Sequence, residues 1–170
     1  MKFTKKIFIF IILTSNFAFS QVSEKVKISE KNILKIFKST IQQDKGNKIK
    51  ITSNPWFTDQ NTYLKTDTII FTNSNNFNRD YCRVINWTFY KKNKFIRSFG
   101  NYCDEPPTEK VTNKNDHFDL KIIENQQKTI LELSNQGKVI EKFEIISLEK
   151  TQSLSYKNEI KYKLTLKREK

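Results

Sequence analysis

Two cysteines placed symmetrically about a basic turn constrain this chain more than any other feature. Cys82 to Tyr90 and Phe95 to Cys103 are rich in β-branched and aromatic residues, and the polar run Lys91-Lys92-Asn93-Lys94 separates them. That pattern reads as a β-hairpin. With a four-residue loop, Tyr90 faces Phe95 and positions whose numbers sum to 185 stand opposite, a condition that Cys82 and Cys103 meet. Opposite Cβ atoms in a hairpin lie about 4.5–5.5 Å apart, close to bridging distance, so a Cys82–Cys103 disulfide is expected. In this register Ile85, Trp87 and Phe89 share one face, while Val84, Tyr90, Phe95 and Phe99 share the other. A strand pair that is apolar on both sides needs cover on both.

A disulfide requires an oxidising compartment, and the first residues supply a route to one. Lys2, Lys5 and Lys6 form a positive n-region, Ile7 to Leu13 is an unbroken apolar run, and Ala18-Phe19-Ser20 has the small-x-small pattern of a cleavage site. These are the three parts of a secretory signal. Residues 1–20 are therefore expected to be removed between Ser20 and Gln21, leaving an exported protein, periplasmic or secreted. Spanning a bilayer takes about 20 apolar residues. Ser15 and Asn16 interrupt the run before that, and no later segment is apolar enough, so no membrane span is expected after cleavage.

Downstream of the signal the hydrophobic period changes once. Within residues 21–46, Ile33, Ile36, Phe37 and Ile41 recur at helical spacing behind the N-cap candidate Ser29, and Gly46 follows. This predicts a short leader and one amphipathic helix of about 12–15 residues. Residues 47–170 then alternate with period 2. Lys48–Ile51, Trp56-Phe57, Thr68–Thr72, the two hairpin strands, His117–Glu124, Lys128–Ser134, Val139–Leu148 and Ile160–Lys167 read as strands, with turns at Asn125-Gln126 and Asn135-Gln136-Gly137. The predicted fold class is mostly β: an antiparallel meander of about eight strands forming a barrel or strongly curved sheet, with one N-terminal helix.

The order of these pieces resembles the lipocalin-like small barrels of bacterial exported proteins. The resemblance runs from Trp56 onwards and rests on that early Trp, on Trp87-Thr88-Phe89 followed by a basic turn and a Phe, on Phe143-Glu144-Ile145-Ile146-Ser147-Leu148, and on Leu164-Thr165-Leu166-Lys167. Asn54-Pro55-Trp56 stands where lipocalins carry Gly-x-Trp. The resemblance implies an eight-stranded antiparallel barrel with a central pocket and no catalysis.

Charge points weakly to a partner. Without Lys2, Lys5 and Lys6 the chain keeps 28 basic and 18 acidic residues, net +10. Over the whole chain, however, Lys outnumbers Arg by 27 to 4, and the lysines are dispersed. Nucleic-acid recognition calls for clustered charge and the planar fork of Arg, so nucleic acid is not an expected partner.

The chemistry-bearing residues are few. His117 is the only histidine and stands at a strand start, without an evident nucleophile. One His and two bridged Cys supply no zinc site, and Gly46, Gly100 and Gly137 are too isolated for a phosphate loop. Asp104-Glu105 before Pro106-Pro107 reads as a solvated turn. Asp67-Thr68-Ile69 and Asn86-Trp87-Thr88 match glycosylation patterns, the second inside a core strand. No catalytic residue, metal or cofactor is expected. Of 17 aromatic residues after residue 20, 12 fall between Trp56 and Tyr102, which makes Trp56, Phe71, Trp87 and Phe89 candidates for an apolar pocket as well as for plain core.

Three functions remain open: a non-enzymatic binding protein for an apolar or amphipathic ligand, a protein-interaction module of inhibitor or immunity type, and a small hydrolase. A monomer is expected. Intact-mass analysis of the exported protein checks the compartment argument: the chain should begin at Gln21 and be two hydrogens lighter than its reduced form.

Overall fold

Alternating strands that bury one face and pair at both edges have nowhere to go but round. The computed structural model describes residues 23–43, 49–50, 55–73, 81–109, 113–152 and 160–169. The signal segment, Gly46, Ile51, Asn54 and the Asn-rich run 74–79 lie outside them. In chain order the elements are β1 (Ser23–Lys25), α1 (Glu30–Ser39), β2 (Gln42–Gln43), β3 (Ile49–Lys50), β4 (Trp56–Asp59), α2 (Gln60–Lys65), β5 (Thr68–Asn73), β6 (Arg83–Lys91), β7 (Lys94–Asn101), β8 (Thr108–Glu109), β9 (His117–Glu124), β10 (Thr129–Asn135), β11 (Lys138–Gln152) and β12 (Ile160–Arg168). Strands β4–β7 and β9–β12 form a closed, eight-stranded antiparallel barrel.

Six of those strands follow the expected meander, each beside the next: β6, β7, β9, β10, β11 and β12. The first two exchange places. β12 pairs with β5, from Leu164↔Phe71 to Lys167↔Thr68, and β4 lies between β5 and β6. A strict up-and-down barrel, the lipocalin arrangement, would set β5 beside β6 instead.

Inward positions are set by register. Ile85, Trp87 and Phe89 of β6, Phe118, Leu120 and Ile122 of β9, Leu131 and Leu133 of β10, Phe143 and Ile145 of β11, and Leu164 and Leu166 of β12 are all buried in one core. The β10–β11 turn is the two-residue Gln136-Gly137, both at positive φ (49° and 78°), as a twist-compatible hairpin turn requires.

The β6–β7 hairpin corrects the sequence-based register by one residue. Phe89, not Tyr90, stands opposite Phe95; the turn is Lys92-Asn93 and a bulge falls at Tyr90. Because side chains alternate with period 2, a one-residue slip moves a whole strand face. Phe95 and Phe99 therefore join Trp87 inside rather than facing away from it. The alternative would turn Ile96, Ser98 and Gly100 inward, a poorer filling beside two tryptophans. The turn is also tied to β9, since the Leu120 N–H donates to the Asn93 carbonyl at 2.8 Å. The expected disulfide forms, but not between directly opposite positions: the corrected register sets Tyr102 across from Cys82, and Cys103, one residue on, is bridged to it with Cα atoms 4.9 Å apart. Their strands reach them through a last rung, the Tyr102 N–H to the Cys82 carbonyl.

The outer face of this hairpin is covered too. Val84, Asn86 and Ser98 point outward yet are buried. Tyr102 lies across Gly100, where a Cβ would come within 3.1 Å of its ring. Glycine is the residue that permits that approach.

Two helices close the two ends. α1 starts at the predicted cap, Ser29 Oγ accepting from the Asn32 N–H, and runs 10 residues, shorter than expected. Glu124 at the end of β9 accepts from the Glu30 N–H. Phe37 then stacks on Phe89 at 4.3 Å and meets the edge of Trp56 at 5.4 Å. β1 extends the ladder of β11 beyond the reach of β10. The sequence reading contains no α2; its six residues are too few for a helical period to show. Asp59 caps it, accepting from the Thr62 N–H at 2.8 Å. No helix among the described residues is long and apolar enough to cross a membrane.

Replacing Cys82 and Cys103 together by Ser should lower stability by about 3 kcal/mol, the chain-entropy value for a loop of this size. Urea unfolding of the double variant against the oxidised parent measures it.

Candidate functional site

The four proposed pocket residues lie in one buried core cluster, as packed rings. Trp56, Phe71, Trp87 and Phe89 are all buried. Trp87 stands at the centre, its ring 4.1 Å from Phe71 and 4.8 Å from Phe95. Trp56 and Trp87 are opposite each other in the β4–β6 ladder, and Phe89 is covered by Phe37 of α1. Ring centroids at these separations are in packing contact. Both indole N–H groups are buried without a hydrogen-bond partner among the described residues. Each such donor costs about 1–3 kcal/mol.

The inward pattern is broken at the α2 end by charge. Arg97 follows Phe95 in the inward phase of β7, Glu141 precedes Phe143 on β11, and Arg168 ends β12 opposite Phe143. Their side chains are 18%, 13% and 29% exposed. Glu141 receives both guanidiniums: Arg97 Nη1 lies 2.5 Å from Oε1 and Arg168 Nη1 3.0 Å from Oε2. Tyr63, the buried residue of α2, completes the group. Its hydroxyl donates to Glu141 Oε2 at 2.5 Å and accepts from Arg97 Nη1 at 3.1 Å, while its carbonyl accepts from Arg168 Nη2.

The guanidinium faces are occupied by rings. Arg97 lies over Phe118 at 4.2 Å, and Arg168 over Phe143 at 5.0 Å and Tyr63 at 5.3 Å. Planar, weakly hydrated guanidinium suits such stacking where ammonium does not. In a chain with 4 Arg among 31 basic residues, two of the four serve this one cluster. Burial pushes the Tyr63 hydroxyl well above its ordinary pKa, with Glu141 adding to the rise and Arg97 opposing it. Burial works against the Arg97 charge, but contact with Tyr63 and Glu141 leaves its pKa raised overall.

The remaining candidates sit apart from this cluster. His117 is exposed at the start of β9, its Nδ1 3.4 Å from the Tyr90 hydroxyl. Asp104 and Glu105 are exposed, and Asp104 accepts from Asn101. Asn86 is buried in β6, out of reach of a glycosyl carrier in the folded chain. Among the described residues no three His, Cys, Asp or Glu side chains converge as metal ligands.

Sequence reasoning missed Tyr63, Arg97, Glu141 and Arg168. The signal that could have found them is phase: Arg97, Glu141 and Arg168 each fall where the strand's alternation calls for an inward apolar residue.

No protein-family model, curated protein or solved structure matches the chain. The architecture alone, a barrel of eight antiparallel strands, stands where a family would.

The Tyr63 shift sets a pH dependence. A hydroxyl whose pKa is raised on folding stabilises the protein fully below the unfolded value of about 10, and this contribution is lost as pH climbs beyond it. Tyr63→Phe cannot ionise. Urea unfolding at about pH 8 and about pH 11 should show the parent losing more stability between the two than the Phe variant does.

Proposed function

We propose that this protein is an exported, non-enzymatic binding protein, lipocalin-like in its eight-stranded barrel, that holds a small amphipathic molecule. The observation that carries this reading is the Arg97–Glu141–Arg168–Tyr63 cluster, polar groups turned into an otherwise apolar barrel and partly open at its α2 end. A polar network at such a depth has a cost in desolvation, and a stoppered barrel that only had to be stable is served as well or better by apolar residues. Few, convergent polar groups beside apolar surface are what small-molecule sites use to orient a ligand.

Next in sequence to the cluster residues stand apolar side chains left in solvent. Leu64, next to Tyr63, is 61% exposed, and Val139 and Ile140, just before Glu141, are 42% and 47% exposed. A ligand placed there meets charge and apolar surface together. Phe71 and Trp87, whose rings meet that of Tyr63, form its floor, so an apolar tail goes deeper only by displacing a ring. Export accounts for the disulfide and for residues 1–20. His117, exposed and in contact with Tyr90, supports no nucleophile-and-base assignment.

A second reading rests on the outer wall, where Ile70 and Ile146 project from β5 and β11 and are 43% and 47% exposed. A protein partner would cover them.

Native mass spectrometry of the exported chain separates the two. The binding reading expects a small mass that travels with the protein and is lost on solvent extraction, or one that returns on adding amphiphiles. A chain that stays bare through an amphiphile series, yet captures a protein, would replace it with the interaction reading.

A further inference from the structure

We propose that the α1 end of the barrel is a docking surface for an anionic phospholipid bilayer, with the lysine stripe of α1 as its contact. Lysines dispersed along the sequence gather here once the chain folds. Lys31, Lys35 and Lys38 recur at spacings of four and three, so they share one stripe of the helix. Ile33, Ile36 and Phe37 occupy the opposite side and are buried against the barrel. The three lysines are exposed, and the helix carries a single acid, Glu30, against them. Its orientation is fixed: Phe37 stacks on Phe89, Glu124 accepts from the Glu30 N–H, and Asn32 Nδ2 donates to the Lys27 carbonyl at 3.0 Å. The stripe therefore faces away from the core.

Neighbouring elements add to the charge. Lys27 leads into the helix and is exposed, and the β6–β7 turn, just beyond Phe89, contributes the exposed Lys91 and Lys92. Of the acids nearby, Glu124 is turned onto the helix N-terminus and Glu24 lies 3.9 Å from Lys150. The α2 end is mixed instead: Asp59, Asp67 and Asp104 stand among Lys65 and Lys138. Among the described residues every Arg lies away from α1, with Arg97 and Arg168 beside Glu141 and Arg83 at the start of β6. That choice of cation matters. A compact, hydrated ammonium is drawn to a sheet of negative headgroups without needing fixed partners, whereas a nucleic-acid backbone is better recognised by the Arg fork. Ile160 opens β12 two residues before the Tyr162 that stacks on Trp56, and it is 41% exposed. It gives the headgroup layer an apolar contact at the same end. Export through residues 1–20 would carry the chain to such a surface.

Flotation with vesicles tests this on the oxidised mature chain. Vesicles of phosphatidylcholine with about one-third phosphatidylglycerol should carry the protein, and vesicles of phosphatidylcholine alone should not. Raising the salt from about 50 mM to about 500 mM shortens the screening length about threefold and should release it. Lys31→Gln, Lys35→Gln and Lys38→Gln together should weaken binding by at least about thirtyfold, since each lysine near an anionic surface contributes several-fold. Glutamine keeps the helix propensity of lysine, and circular dichroism checks that the variant is folded. Neutralising Lys65, Lys114 and Lys138 in the same way removes equal charge elsewhere and should cost far less. Trace acetylation of the unaltered protein needs no variant: Lys31, Lys35 and Lys38 should react more slowly on anionic vesicles, and Lys65 and Lys138 at unchanged rates. Equal binding to the two kinds of vesicle, equal losses in the two triple variants, or unaltered acetylation of the α1 lysines overturns the proposal. So does retention on duplex DNA or polyglutamate without binding to the vesicles. Ligand binding in the barrel is untouched by any of these outcomes.

Discussion

Everything in this protein depends on β12 pairing along both of its edges. Its inward residues Leu164 and Leu166 lie between Phe71 and Ile69 on one side and Leu148 and Ile145 on the other. With that strand in place each of the eight barrel strands has a neighbour on both sides. Closure is the one all-β arrangement that removes the hazard of exposed edges altogether. It also turns eight half-apolar strands into a container with an inside, which must then be filled.

The centre of the filling is aromatic, with aliphatic residues from β10 and β12 beside it. Trp87 contacts rings from β5, β7, β11 and α2, so the centre of the barrel is a single packed unit. The two ends are treated differently. At one, α1 lowers an apolar side chain, Phe37, onto Phe89 and Trp56. At the other, α2 lowers Tyr63, whose ring is apolar and whose hydroxyl is not. That one polar tip, held between a carboxylate and a guanidinium, marks where apolar packing gives way to a polar cluster.

The polar cluster is stable because its members are mutually satisfied. Glu141 accepts from two arginines and a tyrosine; the arginines spread their charge over aromatic faces. Removing the carboxylate alone leaves two guanidiniums in a partly desolvated place, and breaking such an arrangement from one side is far costlier than replacing all of it with apolar residues. The cluster is therefore a commitment of the fold.

Much of this was legible from residues alone. Alternation located the barrel strands to within a few residues, Ser29 marked the start of α1, and the placing of Cys82 and Cys103 at the open end of one hairpin announced their bond. Local pattern suffices there because strand periodicity, caps and turns are properties of neighbouring residues. What only the tertiary structure decided has a common cause: it depends on residues far apart in the chain. The bulge at Tyr90 was chosen by which hairpin face best fills the barrel and by the tie from Asn93 to Leu120. The exchange of β4 and β5 was decided by which strand β12 met. Tyr63, Arg97, Glu141 and Arg168 sit on four different elements spread over 105 residues, and each taken singly is an ordinary polar residue. Closure of the barrel brings them within hydrogen-bonding distance, and no local rule of sequence records that meeting.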